Sequence, residues 1–231
     1  MKSIVTDAII LRRVNYGEAD RIVTVLSKEL GKVPVMARAV RKLKSKLAGG
    51  LELLSINEMT LIEGKGDMYM LRSARMKQQL SDGILESYER SEQAFAGLKQ
   101  INILVEETEG AEFYELLAEY LKALNDGLEL NLAETWWSLR LLAQLGHTPN
   151  LSTDSDGKPL DKNARYLFNP EEGTFSPTSS QQTNVFTPDH IKLWRLALHL
   201  EPMSLANIKS GKGLAEIGIQ SLRLLIANHT S

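Results

Sequence analysis

The chain has 231 residues, 43% hydrophobic and 24% charged, with a formal net charge of −2, enough for one large domain or two small ones around a real core. It has no cysteine, which excludes disulfides, thiolate metal sites and cysteine nucleophiles. No apolar run approaches the roughly 20 residues of a membrane-spanning helix, and the start, "MKSIVTDAIILRR", has no signal-peptide cleavage pattern, so a cytoplasmic protein is expected.

The first eighty residues read as strands. "TDAIILRR" and "RIVTVLS" are rich in β-branched and apolar residues, and "KVPVMARAV" alternates with Val33, Val35, Ala37 and Ala39 on one face. "INEMTLIE" and "DMYMLRSARM" are two further strands, joined by a hairpin at "GKG". Five strands in so short a segment predict a small closed or partly open barrel, which hides its own edges.

The pattern then turns helical. "ESYERSEQAFAGLKQINILVEET" is helical in composition, and "EFYELLAEYLKAL" places Phe113, Leu116, Leu117, Tyr120, Leu121 and Leu124 on one face. "LAETWWSLRLLAQLG" is a helix stopped by Gly146. "TPDHIKLWRLALHL" starts with Thr187 as N-cap and Pro188 at the first position, and its apolar content predicts burial on most sides. "GLAEIGIQSLRLLIA" closes the chain, with Ile219, Leu222, Leu225 and Ile226 on one face. Between the helix ended by Gly146 and the one begun by Thr187, residues 150–184 form a Ser/Thr/Asp/Asn/Gly/Pro-rich excursion in which "RYLFN" and "GTFSP" flank the turn "PEEG" as a small hairpin. The domains expected are 1–80 and 81–231.

Charge divides unevenly between these segments. Residues 1–80 hold 15 Lys+Arg against 8 Asp+Glu, and the remainder carries −9. The densest run is "RAVRKLKSK", with Arg38, Arg41, Lys42, Lys44 and Lys46 and no acid. A solvated loop accounts for such a run taken alone; beside a barrel, it suits a polyanion whose phosphates it neutralises with release of counterions.

Motifs for catalysis are missing. There is no phosphate loop, no nucleophile elbow and no H-E-x-x-H, and His147, His190, His199 and His229 share no ligand spacing. Asp154, Asp156 and Gly157 fit the middle of a calcium loop, but Ser152 and Asn163 stand where its first and last carboxylates belong, so an Asx-rich turn is the better account. No enzyme activity, metal or other cofactor is expected.

"YGEADRIVTVLSKELGKVPVMARAVRKLKSKLAGGLELL" resembles the start of the bacterial RecO recombination-mediator family: a Gly-Glu-x-Asp step, a strand, a Gly-Lys hairpin and a basic segment. "SLRLLAQLGHTPNL", "RYLFNPEEGTF", "LWRLAL" and "SLRLL" follow in the family's order, so the resemblance covers nearly the whole chain. It implies an α+β protein: a five-stranded OB-fold barrel, then a mainly α-helical domain carrying the small hairpin. It also implies binding of single- and double-stranded DNA, annealing of complementary strands and, with RecR, assistance in loading RecA onto strands covered by single-stranded-DNA-binding protein, in a cytoplasmic, nucleoid-associated role. The alternative is an OB-fold protein-interaction module without annealing activity.

Many members of that family carry two Cys-x-x-Cys pairs holding zinc in the excursion. Thr153, Asp156, Ser176 and Ser179 stand at about those positions here, so the thiolates are gone. On the barrel, Arg38, Arg41, Lys42, Lys44 and Lys46 are expected to form a mobile basic loop beside the DNA-binding face, extended by Arg12, Arg13, Lys32, Arg72 and Arg75. Tyr16 and Tyr69 are the barrel's only aromatics, so backbone electrostatics rather than base stacking should dominate affinity. Arg140 beside Trp136 and Trp137 is the candidate receptor for the acidic, apolar-ended tail of the single-stranded-DNA-binding protein; the favoured alternative makes both tryptophans core.

Overall fold

Five strands close into a ring: β1 (Ser3–Tyr16), β2 (Asp20–Ser27), β3 (Gly31–Ala37), β4 (Ser55–Glu63) and β5 (Tyr69–Gln79), in the order β1-β2-β3-β5-β4, with β4 returning to β1. The computed structural model describes residues 3–42, 45, 48–64, 66, 68–106, 110–180 and 184–228. All neighbouring strands are antiparallel except β3 and β5. This is the OB-fold order. Strand β1 is long enough to serve two neighbours, β4 with its first half and β2 with its second, and a register shift between Ile10 and Arg12 lets it bend around the ring. Alternation sends Val23 and Val25 of β2, Val33 and Val35 of β3, and Met59 and Leu61 of β4 inward to one core.

The alternation of β3 ends earlier than its sequence suggests. The Asp20 carboxylate accepts the Ala39 N–H at 2.7 Å, and Ala39 sits at φ +54°. That turn redirects the chain, so Val40 rather than Ala39 fills the next core place. The β4–β5 hairpin closes tightly at Gly64, whose N–H bonds the Met68 carbonyl at 3.1 Å; a Cβ there would lie 2.4 Å from that oxygen.

Residue 80 is where strand gives way to helix. The compact units divide later, into Met1–Gly127 and Leu128–Ser231. The first unit therefore includes α1 (Ser81–Ile84), α2 (Tyr88–Leu104) and α3 (Phe113–Asn125). Helix α3 buries all six residues of its expected face, and Ser87 caps α2 by accepting the Arg90 N–H at 3.1 Å.

The second unit packs α4 (Leu130–Gln144) against α5 (Pro188–His199) and α6 (Gly211–Asn228). Helix α6 buries Ile219, Leu222, Leu225 and Ile226. Its Gly218 faces the Trp194 indole so closely that a Cβ would lie 2.7 Å from Nε1. Helix α5 is not buried on most sides: Lys192, Arg195 and His199 are exposed, which makes it amphipathic. At its N-terminus the Thr187 N–H donates to His190 Nδ1 at 3.0 Å, so an imidazole takes the place of the usual Glu in a capping box.

The excursion forms the expected hairpin, β6 (Tyr166–Asn169) with β7 (Thr174–Pro177). It is wedged by rings. Phe168, Phe175, Phe186 and Trp194 stand with centroids 4.9–6.0 Å apart, and Tyr166 meets Phe175 edge-on at 6.2 Å. Asp154 organises the preceding loop by accepting the N–H groups of Asp156 and Lys158, each at 2.9 Å, while the Ser155 N–H donates to the Phe175 carbonyl at 2.8 Å. Hydroxyls at Thr153, Ser176 and Ser179 and one carboxylate at Asp156 do not fit zinc, which takes thiolate and imidazole ligands at structural sites.

Candidate nucleic-acid interface

The outer face of the ring carries an apolar belt. Residues that alternate with the core point outward, and the register aligns one such residue from each strand: Val14 opposite Ile22, Ile22 opposite Met36, Met36 opposite Met70 and Met70 opposite Ile62. Val14 is 42% exposed and the other four are half-buried. Outward positions of a small barrel are ordinarily polar, so five apolar residues in one row make a surface built to contact something.

Cations follow the belt along the same strands. Arg38 lies two residues beyond Met36, and Arg72 two residues beyond Met70, on neighbouring parallel strands; both are exposed. Arg12 is exposed on β1, two residues before Val14 on the belt's other side. Among the described residues Arg12, Arg38, Lys42 and Arg72 make no ion pair. At the β3–β5–β4 seam, Met36, Arg38, Ile62, Glu63, Gly64, Met68 and Met70 line a groove of about 480 Å³. The β3–β5 ladder spans two residue pairs, Val35 with Tyr69 and Met36 with Met70.

The start of the basic run is a hydrogen-bonded turn. Val40 anchors it in the core, the Arg41 N–H donates to the Ala19 carbonyl at 2.9 Å, and Arg41 Nη1 donates to the Gly17 carbonyl at 3.2 Å. Arg38, Arg41 and Lys42 are thereby presented outward on a fixed base. Lys44 and Lys46 lie outside the described residues.

Three of the expected extensions are engaged elsewhere. Lys32 is buried, and its ammonium donates to the Asn102 carbonyl on α2 at 3.0 Å. Arg13 pairs with Glu52 at 3.0 Å and also donates to the Leu51 carbonyl. Arg75 is exposed but pairs with Glu58 at 3.2 Å. These contacts neutralise or occupy the cations that alternation or turn geometry directs toward acids and carbonyls, leaving Arg12, Arg38, Arg41, Lys42 and Arg72 as the outward set.

In the second unit Trp136 and Trp137 are core residues. Trp136 is fully buried, with its indole N–H on the Leu200 carbonyl at 2.9 Å. Arg140 is half-buried over the Trp136 ring and donates to the Leu198 carbonyl at 2.7 Å. Trp136 and Arg140 thus tie α4 to the end of α5.

Sequence reasoning found the cations but missed the belt. Its signal was available: once Val33, Val35 and Ala37 face inward, Met36 must face outward, and the same parity holds for Met70 beside Leu71. What the sequence does not carry is the register that aligns those residues across five strands.

Comparison with known proteins bears on both units. Residues 1–80 match the family model described as Recombination protein O N terminal, and residues 86–231 match Recombination protein O C terminal. The chain is 30% identical over 205 residues to the DNA repair protein RecO of Dehalococcoides mccartyi strain CBDB1, covering 88% of this chain and 80% of that protein. It is 34% identical over 205 residues to RecO of Roseiflexus sp. strain RS-1, covering 88% and 67%. With RecO of Heliobacterium modesticaldum strain Ice1 the identity is 28% over 217 residues, covering 90% and 78%.

Proposed function

The chain belongs to the RecO family and is a DNA repair protein of the recombination pathway; from that premise we propose that it is a non-catalytic DNA-binding mediator. It binds single- and double-stranded DNA through the barrel, anneals complementary strands and, with RecR, assists RecA loading onto strands covered by single-stranded-DNA-binding protein. Its place of action is the cytoplasm, at the nucleoid. The observation that carries the reading is the outward set Arg12, Arg38, Arg41, Lys42 and Arg72 around a pinned turn. Cations held on a rigid base neutralise phosphates without ordering long side-chain loops first, and each contact releases counterions. Neutralising two strands together lowers their mutual repulsion, which is the physical requirement of annealing.

A second reading has its own observation. The apolar belt from Val14 to Ile62 also suits a protein surface, as in an OB-fold interaction module without annealing activity. Binding and annealing assays on mixed-sequence oligonucleotides over a salt series, with and without RecR, separate the two. Affinity that falls linearly on a log–log salt plot is expected. Binding of RecR with no affinity for DNA would overturn the mediator reading in favour of the module.

A further inference from the structure

We propose that the groove at the β3–β5–β4 seam is a pocket for one unpaired DNA base, gripped by Met36, Met68, Met70 and Ile62 rather than by an aromatic platform. The inference rests on the DNA-binding reading above and adds which part of the DNA is bound. Three observations converge on it. The groove's apolar lining lies on the outer face, where the strand alternation would place polar residues. Its volume of about 480 Å³ falls in the range of small-ligand sites and exceeds what a single base needs. Its rim carries charge in the order a nucleotide requires.

That order is set by the strands. Arg38, just past the end of β3, lines the groove, and the exposed Arg72 stands two residues beyond Met70 on β5, so the phosphates of an inserted nucleotide would run along this cationic side. Glu63 lines the groove from the β4 side. Its carboxylate repels phosphate, which keeps the backbone on the arginine side and admits only the base. Methionine suits such a pocket because the thioether is polarizable and the unbranched side chain adapts to any of four bases. A base in a duplex is stacked and paired, and exposing its face costs a few kcal/mol. The groove therefore favours single strands over duplex. With one base held per protein, the neighbouring bases remain free to pair.

The test uses the full chain and three fluorescent probes: a mixed-sequence single strand, the same strand carrying abasic sites through its middle, and the corresponding duplex. The Met36→Gln/Met70→Gln double variant is expected to bind the intact strand about fivefold more weakly or worse, with an unchanged salt slope. Its affinity for the abasic strand and the duplex should equal that of the unaltered chain. Equal affinity of both proteins for the intact strand would overturn the pocket and leave the groove to a protein side chain. If the unaltered chain binds none of the three probes, it is the DNA-binding reading that fails. An independent measurement avoids dependence on the variant's folding. A strand substituted with 5-iodouracil, irradiated with the unaltered chain, should cross-link to peptides containing Met36, Met68 or Met70. Cross-links confined to other peptides would equally overturn the pocket.

Discussion

The barrel and the hairpin of the excursion solve the same problem in opposite ways. A β-sheet must satisfy its edges and bury one face. The barrel does so by closure: five strands pair around a ring and the inward residues make one core. Because closure leaves no edge to protect, the outer face can carry Val14, Ile22, Met36, Met70 and Ile62. The hairpin has two strands of four residues, too little to stand alone in water. It directs Tyr166, Phe168 and Phe175 onto Phe186 and Trp194. Apolar surface is thus available for binding on the self-sufficient element and committed to packing on the dependent one.

Breaking the hairpin's support should give the largest effect. Phe175 is fully buried amid four rings, so Phe175→Ala is expected to destabilise the second unit by about 3–5 kcal/mol. Limited proteolysis should then cut within residues 150–180, while DNA affinity, which we assign to the barrel, is expected to stay within twofold of the parent. Loss of DNA binding in a protein whose barrel remains folded would show that the two elements are not independent in this sense.

The complementary change strikes the barrel's surface and spares its stability. Arg38→Glu/Arg41→Glu/Lys42→Glu should reduce single-strand affinity about 100-fold at low salt, with a salt slope shallower by about 2. The melting temperature should fall only slightly, because Arg38 and Lys42 make no ion pair among the described residues and Arg41 gives up one exposed hydrogen bond to the Gly17 carbonyl. Titration across a salt series, paired with thermal unfolding, reads both quantities.

Acid should loosen the helical unit before the barrel. Burial holds His190 below the ordinary imidazole range, an effect opposed by the neighbouring Asp189 carboxylate. His190 Nδ1 accepts the Thr187 N–H only while it is unprotonated. The unfolded chain therefore takes up the proton first, so this contribution is complete above about pH 6.5 and is lost as pH falls through that value toward the folded pKa. His190→Ala should cost about 1 kcal/mol near neutrality, as loss of a helix cap does, and should flatten the pH dependence of unfolding below about pH 6.5.

The smallest expected effect sharpens the account of the excursion. Chelators and added zinc should leave the melting temperature unchanged, because Thr153, Asp156, Ser176 and Ser179 are not a zinc donor set. Elemental analysis should find no stoichiometric zinc. A chelator-sensitive melting transition would mean that the aromatic wedge is not sufficient to hold the hairpin.

Local pattern alone determined most of the elements. β-Branched and apolar runs marked the strands, with period-two alternation in β3 and a glycine hairpin between β4 and β5, apolar spacing marked α3 and α6, and Thr187-Pro188 marked the start of α5, since each depends on residues adjacent in the chain. The short helix α1 carried too little pattern to be read, and α5 was misjudged because composition does not tell which side meets solvent. The basic run was equally legible as charge. Its conformation was not: Asp20, nineteen residues earlier, bends the chain at Ala39 and turns the run's first half into a pinned edge. Tertiary structure also chose among the cations, sending Lys32 to Asn102 and Arg13 to Glu52 while leaving Arg38 and Arg72 outward. The belt and its groove exist only through registers that join residues up to 56 positions apart, from Val14 to Met70. Such alignment is a property of strand pairing, and no window along the chain contains it.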